Sequence, residues 1–415
     1  MTHHPAEQRV DSASLGLIKE AWKDDTGDYG HETPERYEGP HKYEMPVPYY
    51  GYRHTELVGN HGDLADAHYL QWLRARSPLA DQWRDRNNQL PHTYKCPQAY
   101  RTPIPEELYS TAFIRDKAIA FLDDVKGSTQ PFFAFVSFPD PHHPFTPPGR
   151  YWDLYKPEDF DVRLPWEGHR NPTPPMRFLR GQQTSGNRNA LGMEAFIAEP
   201  DEIREAMALT CGMIAMIDDA VGALVSYLKA SGLYENTVIV FNSDHGDYLG
   251  DFGLLLKGAM PLRSINRVPF IWSDPASRMP AVSQALASTV DLAPTILARA
   301  GTKPYYGIQG KSLLANMQGS PVLRDQLLIE HQDAFKRYGM SRYPMIRTLV
   351  TPAWRYSVWR GEDWGELYDL QSDPDEAHNL WDEPTACKVR LELGERLAQE
   401  MLEQVDQSPH SRRRA

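Results

Sequence analysis

The residues best placed to do chemistry are Asp244 and His245, in the run Asn242-Ser243-Asp244-His245-Gly246-Asp247, with Lys257-Gly258 downstream. An adjacent carboxylate and imidazole offer one oxygen and one nitrogen donor to a single divalent ion. The histidine leans such a site toward a transition metal, while the carboxylate suits Ca²⁺ or Mg²⁺ as well. A polar turn after a strand uses the same residue types, so the types alone leave both readings open. Lys257 follows three leucines and precedes a glycine. An amine in so apolar a setting calls for an anionic partner, and it could neutralise an anionic substrate.

A second polar cluster is Pro139-Asp140-Pro141-His142-His143-Pro144-Phe145. A histidine there could bind an anionic oxygen or protonate a leaving group, and a proline-rich turn capping a strand end is the alternative. Cys96 is followed directly by Pro97 and has no nearby histidine or helix N-terminus to lower its thiol pKa, which argues against a nucleophile. Two ligands do not make a metal site. These residues therefore point to a hydrolase of which only part is encoded here.

The elements that must position them follow from apolar spacing. Thr237 to Phe241 is a β-branched run that reads as a buried strand, with Asp244 and His245 just past its carboxyl end. Open α/β sheets carry their ligand sites at that edge. Pro131 to Phe138 reads as a second buried strand, which places His142 at the same edge. His68 to Arg76 is a short helix. Ser110 should cap a helix ending near Gly127. Asp201 to Lys229 gives the clearest helix, with Ile203, Met207, Cys211, Ile214, Val221, Leu224, Val225 and Leu228 on one face and Gly232 as its stop. Val268 to Trp272 is another strand. Asp291 caps the helix Leu292 to Ala300. The alternation predicts an α/β fold with a largely parallel sheet.

Arg347 to Val350, Trp354 to Trp359 and Glu366 to Leu370 predict a small antiparallel sheet, and Val389 to Val405 a closing helix. Trp22 to Pro48 and Trp152 to Asn189 read as long loops.

The net charge is 44 − 56 = −12. Such a balance disfavours nucleic-acid binding and leaves room only for a local basic pocket. Arg412-Arg413-Arg414 is the one basic run. The three cysteines, Cys96, Cys211 and Cys387, are too scattered for a disulfide framework, and Cys211 reads as a core residue. The N-terminal residues have no signal-peptide pattern, and no apolar run of membrane-spanning length is evident. The default expectation is a cytoplasmic protein with no membrane association.

Taken together these segments resemble the sulfatases of the alkaline-phosphatase-like superfamily. The matching stretches are Pro131-Phe132-Phe133 through His142-His143-Pro144-Phe145, Glu235-Asn236-Thr237-Val238-Ile239 through Asp244-His245-Gly246-Asp247, and Leu256-Lys257-Gly258. Val268-Pro269-Phe270, Thr289 to Thr295, and Glu366-Leu367-Tyr368-Asp369-Leu370 with Asp373-Pro374, Glu376 and Asn379-Leu380 also fit. The resemblance implies an alkaline-phosphatase-like sandwich over residues 1–325, lacking the family's N-terminal portion, and an antiparallel subdomain over 326–415. It implies Asp244 and His245 as ligands of one divalent metal, calcium first, with Mn, Mg or Zn as alternatives. It implies Lys257 at the sulfate, His142 at the substrate oxygen, and His3 as a tentative match to a further substrate contact. The nucleophile of the family is a formylglycine made from Cys or Ser, and its motif is not in this sequence; neither is the family's Asp-Asp metal pair.

On this reading Met1 is an internal position of a longer ancestor. The activity implied is hydrolysis of a small-molecule sulfate ester, with little turnover by this chain alone. Phosphonate-monoester or phosphodiester hydrolysis on the same scaffold is the alternative, and a non-catalytic remnant is a third reading. Missing strands would expose a sheet edge and apolar surface, inviting a homo-oligomer or aggregation.

Overall fold

The computed structural model describes residues 30–39, 41–319 and 323–408. His3, residues 22–29 and 40 of the Trp22 to Pro48 loop, and the Arg412-Arg413-Arg414 tail lie outside the described residues. In chain order the main elements are α1 (His68–Arg76), α2 (Ser110–Val125), α3 (Pro174–Thr184), β1 (Phe196–Ile197), α4 (Pro200–Ala230), β2 (Ile239–Asn242), β3 (Leu254–Leu255), β4 (Phe270–Ser273), α5 (Leu292–Arg299), β5 (Leu327–Gln332), β6 (Met345–Val350), β7 (Trp354–Trp359), β8 (Gly365–Asp369) and α6 (Cys387–Glu403). They form two compact units, Met1–Asp161 with Asp201–Thr237, and Val162–Pro200 with Val238–Ala415.

In the first unit, Tyr69 and Leu73 of α1 pack with Phe113 and Ile114 of α2 around Ala65 and Ala80. Ser110 does not cap α2. It is the helix's first residue, and the extended Tyr109 precedes it. The Ser110 side chain is fully buried, so it cannot swing out to meet the orphan N–H groups of the first turn.

α4 buries Ile203, Ala206, Leu209, Met213, Met216 and Ala220, whereas Ile214, in the middle of the expected stripe, is 50% exposed. The helix is apolar around more than one face, and its neighbour selects the face that is covered. A Cβ at Gly212 would lie 2.3 Å from the Tyr151 carbonyl oxygen, so the missing side chain lets that backbone settle on the Gly212 side. Gly232, at φ +75°, then turns the chain out of the helix, as its position predicts. Contrary to the sequence expectation, α4 is long and apolar enough to cross a membrane by length and composition. A core helix passes the same test, and 39% of its apolar window is buried.

Pro131 to Phe138 was expected to be a buried strand. It forms no strand, and Phe133 and Phe135 stand 58% and 61% exposed. An apolar run becomes a strand only when a neighbour supplies the ladder, and no described strand pairs with it.

In the second unit, β2 pairs with β4 from Ile239↔Ser273 to Asn242↔Phe270, and β1 pairs with β3. β5, β6, β7 and β8 form a four-stranded meander in sequence order. Every pairing between these named strands is antiparallel, so the parallel pairing expected of a central sheet is not made among them. The physical reason is local. Among the described residues β2 and β4 pair only with each other, and the connection between them returns β4 against β2 in the opposite sense. α6 lays Leu393 and Leu397 on Leu349, Tyr356 and Leu367 of the meander. α3 lies inside the segment expected to be a loop, started by Pro174 and Pro175 in the first-turn positions that tolerate proline. Asp291 precedes α5 but makes no side-chain cap. Its carboxylate instead accepts from the backbone N–H of Ser288 and Lys311 and is gripped by both Arg324 terminal nitrogens at 2.7 Å.

Candidate functional site

In the second unit the chain leaves β2 at Asn242 and turns through Ser243, Asp244 and His245. Gly246 sets the turn. Its N–H donates to the Ile265 carbonyl at 2.9 Å, and a Cβ there would lie 1.8 Å from the Ser264 carbonyl oxygen. Only glycine permits that approach.

The Asp244 Oδ1 accepts the His245 backbone N–H at 2.9 Å, and its Oδ2 lies 3.7 Å from His245 Nε2. His245 Nδ1 lies 2.8 Å from the Gly246 carbonyl oxygen. A carbonyl only accepts, so Nδ1 carries the proton and Nε2 presents a lone pair. Lys257 Nζ sits 3.3 Å from that Nε2. Burial disfavours ionising Asp244, but His245, the local N–H groups and Lys257 outweigh it and hold the carboxyl below its usual range. Burial lowers the pKa of Lys257, with Asp244 and Asp247 pulling the other way.

Lys257 is held from three directions. Leu256 ahead of it is fully buried at φ +66°, and its carbonyl accepts from Tyr248 N at 2.9 Å. The Lys257 carbonyl accepts from Ala195 N at 3.0 Å. The Tyr338 hydroxyl accepts the Ala259 N–H at 3.1 Å and would lie 2.2 Å from a Cβ at Gly258. The sequence placed Asp244, His245 and Lys257 in one site, and the structure brings these three together. It adds Asp247, whose buried carboxyl is pushed up to about 7 by burial and accepts from Leu249 N at 2.9 Å. The acidic residue three places after Asp244 was visible in the motif; its burial was not.

In the first unit, His142 follows Asp140 and Pro141, and its N–H donates to Pro139 O at 3.3 Å. Its Nδ1 bonds the His143 carbonyl. Its ring stacks on that of His61, with centroids 3.6 Å apart and planes 17° from parallel. Asp140 is fully enclosed and accepts from Thr111 Oγ1 at 3.0 Å and Tyr109 OH at 3.4 Å; burial pushes its carboxyl up to about 7. His61 is a residue that sequence reasoning missed. Its only signal was a histidine set among the turn residues Gly59, Asn60 and Gly62.

Asp244 and His245 fit two places of a divalent-metal site: an anionic oxygen and an imidazole nitrogen whose tautomer is fixed by a backbone carbonyl. Among the described residues no group of three or more His, Cys, Asp or Glu gathers to complete one. The pair is thus part of a donor set. Cys96 is no nucleophile. It is buried, its thiol is pushed up to about 12 by burial, and Glu205 takes the N–H groups of Lys95 and Cys96 at 2.7 Å each.

The Sulfatase family profile matches residues 48–302. This chain belongs to the sulfatase family. A second profile, N-sulphoglucosamine sulphohydrolase, C-terminal, matches residues 250–403. Among curated relatives, the multifunctional alkaline phosphatase superfamily protein PehA of Trinickia caryophylli is 32% identical over 52% of this chain and 43% of its own. An arylsulfatase of Clostridium perfringens is 29% identical over 75% of this chain and 61% of its own. The chain thus spans about half the length of the curated relatives it matches. Among solved structures, the phosphonate monoester hydrolase of Agrobacterium radiobacter superposes with a TM-score of 0.67 at 23% identity, covering 83% of this chain and 70% of that one. That likeness shows the alkaline-phosphatase-like fold.

Proposed function

We propose that this sulfatase-family chain carries the metal-and-sulfate part of a site that hydrolyses sulfate monoesters. The observation that carries the reading is the trio Asp244, His245 and Lys257, gathered where the chain leaves β2. Asp244 and His245 would hold one divalent ion, calcium first, with Mn, Mg or Zn as alternatives. When bound, such an ion supplies Lewis-acid stabilisation of charge developing on the ester oxygens. Lys257 supplies a positive charge for the sulfate, and its enclosed setting strengthens that attraction by excluding water. His142 would give a proton to the leaving oxygen. His3 is retained as a candidate substrate contact. The nucleophile, a formylglycine, is not encoded in this chain, so little turnover is expected from it alone.

Relatives named for sulfatase activity support a sulfate ester as substrate: the arylsulfatase above, and a choline-sulfatase of Rhizobium meliloti that is 28% identical over 62% of this chain. The test is to purify the chain and measure hydrolysis of an aryl sulfate with and without calcium or manganese. Release no faster than buffer, together with saturable metal binding lost in Asp244→Ala, is expected. Robust metal-dependent turnover abolished by Asp244→Ala would overturn the prediction of inactivity and keep the site.

A second reading, phosphonate-monoester or phosphodiester hydrolysis, is favoured by the histidine at position 245 and by the fold likeness to phosphonate monoester hydrolases. Competition between a sulfate and a phosphonate monoester for the chain separates the two. A cytoplasmic location, the absence of membrane or nucleic-acid partners, and a homo-oligomeric state are part of the same proposal. They are checked by cell fractionation, binding assays and light scattering.

A further inference from the structure

We propose that His61 is a positioning residue for His142: it holds that imidazole face to face from a turn shaped to deliver it. The proposal rests on the reading of His142 as the group at the leaving oxygen. Three observations carry it. The two rings are stacked at 3.6 Å, and the ring of His143 also lies 4.1 Å from that of His142. His61 is flanked by two left-handed residues, Asn60 at φ +55° and Gly62 at φ +58°, and the Asn60 side-chain oxygen accepts the His61 N–H at 2.9 Å. A Cβ at Gly62 would meet Thr146 Oγ1 at 2.8 Å and the Pro144 carbonyl at 3.1 Å, so this turn is pressed directly onto the chain that follows His142 and His143.

A histidine that merely fills a core does not need this construction. Asparagine and glycine adopt left-handed backbone at little cost, so the Asn60 and Gly62 pair suits a tight turn that presents His61 toward the facing ring. The stack has two consequences for His142. It fixes the plane of the ring, and so the direction of its nitrogens. It also makes a second positive charge on the facing ring unfavourable. Among the described residues, the titratable groups of this neighbourhood include His143, stacked on His142, Asp63, with Arg86 3.5 Å away, and Asp140, bonded to Tyr109 and Thr111.

The experiment uses the full chain labelled with ¹⁵N-histidine, with variants His61→Phe, His61→Ala and His142→Ala. Two quantities are read: the imidazole resonances of His142 through a pH titration, and the affinity for 4-nitrocatechol sulfate. His61→Phe should keep one sharp His142 signal and change its titration, because a facing ring remains while an ionisable neighbour is gone. His61→Ala should broaden that signal and weaken binding about fivefold, equivalent to about 1 kcal/mol. A His142 signal and titration unchanged in both His61 variants would overturn the proposal. Binding unaffected by His142→Ala would overturn the reading of His142 as a substrate contact, while the resonances of the His61 variants would still decide the positioning. Should His61→Ala fail to fold, the His61→Phe titration decides alone.

Discussion

The β5–β8 meander and the β2–β4 ribbon belong to the same compact unit and are built by opposite rules. The meander is closed. β6, β7 and β8 are largely buried, and at their centre Arg355, 2% exposed, donates to Glu376 at 2.8 Å, to Ser357 at 3.0 Å and toward Glu366 at 3.5 Å. Trp359 Nε1 donates to the second Glu366 oxygen, and Thr348 pairs with Ser357. The ribbon is open. Ile271 is 59% exposed, and Phe241 and Phe270 are exposed as well. Four polar residues of the C-terminal signature shared with the sulfatases, Glu366, Asp373, Glu376 and Asn379, have structural tasks. Glu366 and Glu376 neutralise Arg355, while Asn379 bonds Leu367 N, Trp381 N and Gly365 O. Asp373 accepts from Ala377 N and His378 N. The proposed site residues Asp244 and His245 instead follow directly on the ribbon, whose Phe241, Phe270 and Ile271 are exposed. Binding residues are commonly carried by segments that a rigid neighbour supports.

The contrast breaks first at Arg355. Arg355→Met leaves two buried carboxylates without their cation, and loss of one partner of a buried charge cluster costs about 3–5 kcal/mol. Urea denaturation followed by tryptophan fluorescence should show that loss. A shift below about 1 kcal/mol would mean the network is replaceable and the meander no stiffer than the ribbon.

Next comes Gly246. Gly246→Ala drives a methyl group into the Ser264 carbonyl, and relieving so close a contact should destabilise the protein by about 2–3 kcal/mol. The damage should be confined to the ribbon. Hydrogen exchange should quicken in β2 and β4 and stay unchanged in β6 and β7. Quickening that spreads through the meander would show the two regions to be one cooperative unit.

Acid should separate them further. Arg299, bonded to Asp274 at 2.6 and 3.0 Å just past β4, holds that carboxyl down to about 2, below the usual carboxylate range. A carboxyl depressed on folding stabilises fully above the unfolded value, and the contribution is lost as pH falls through the folded one. The ribbon should therefore lose on the order of 1–2 kcal/mol between pH 4 and pH 2, discounted for the half-exposed arginine. Glu376 behaves in the opposite sense. Burial raises its pKa despite Arg355, so its contribution grows as pH falls. Protection factors, corrected for the intrinsic exchange rate at pH 3 and pH 6, should fall with acid in β4 and not in β7. Asp274→Asn should remove the difference.

Legibility in the sequence divided along the same line. α1, the start and stop of α4, and β7 could be read because period, glycine and proline act locally. The carboxylate, imidazole and amine at 244, 245 and 257 were legible because their chemistry is in their types. β5 was missed, since Leu327 to Gln332 carries no alternation. Pro131 to Phe138 was misread because strand character depends on a partner that no local pattern records. His61 was missed for a related reason: its meaning lies in a ring 81 positions away, and nothing in Gly59-Asn60-His61-Gly62 names that partner.

The smallest effect on stability should come from the residue of greatest chemical interest. Asp244 is 44% exposed on its side chain, and its hydrogen bonds reach only Ser243 and His245. Asp244→Asn keeps the shape and an oxygen acceptor, so unfolding free energy should move by no more than about 0.5 kcal/mol, as for other surface changes away from special features. The same substitution removes the only anionic donor of the Asp244–His245 pair. Calorimetric titration of calcium and manganese into the chain should therefore lose its heat signal in the variant, with the wild-type stability curve retained. A large stability loss would mean that Asp244 is a structural residue like those of the meander, and the division between a stiff scaffold and an open site would fail at its centre. Metal binding that survives the substitution would place the ion elsewhere and leave Lys257 and His245 as an anion site alone.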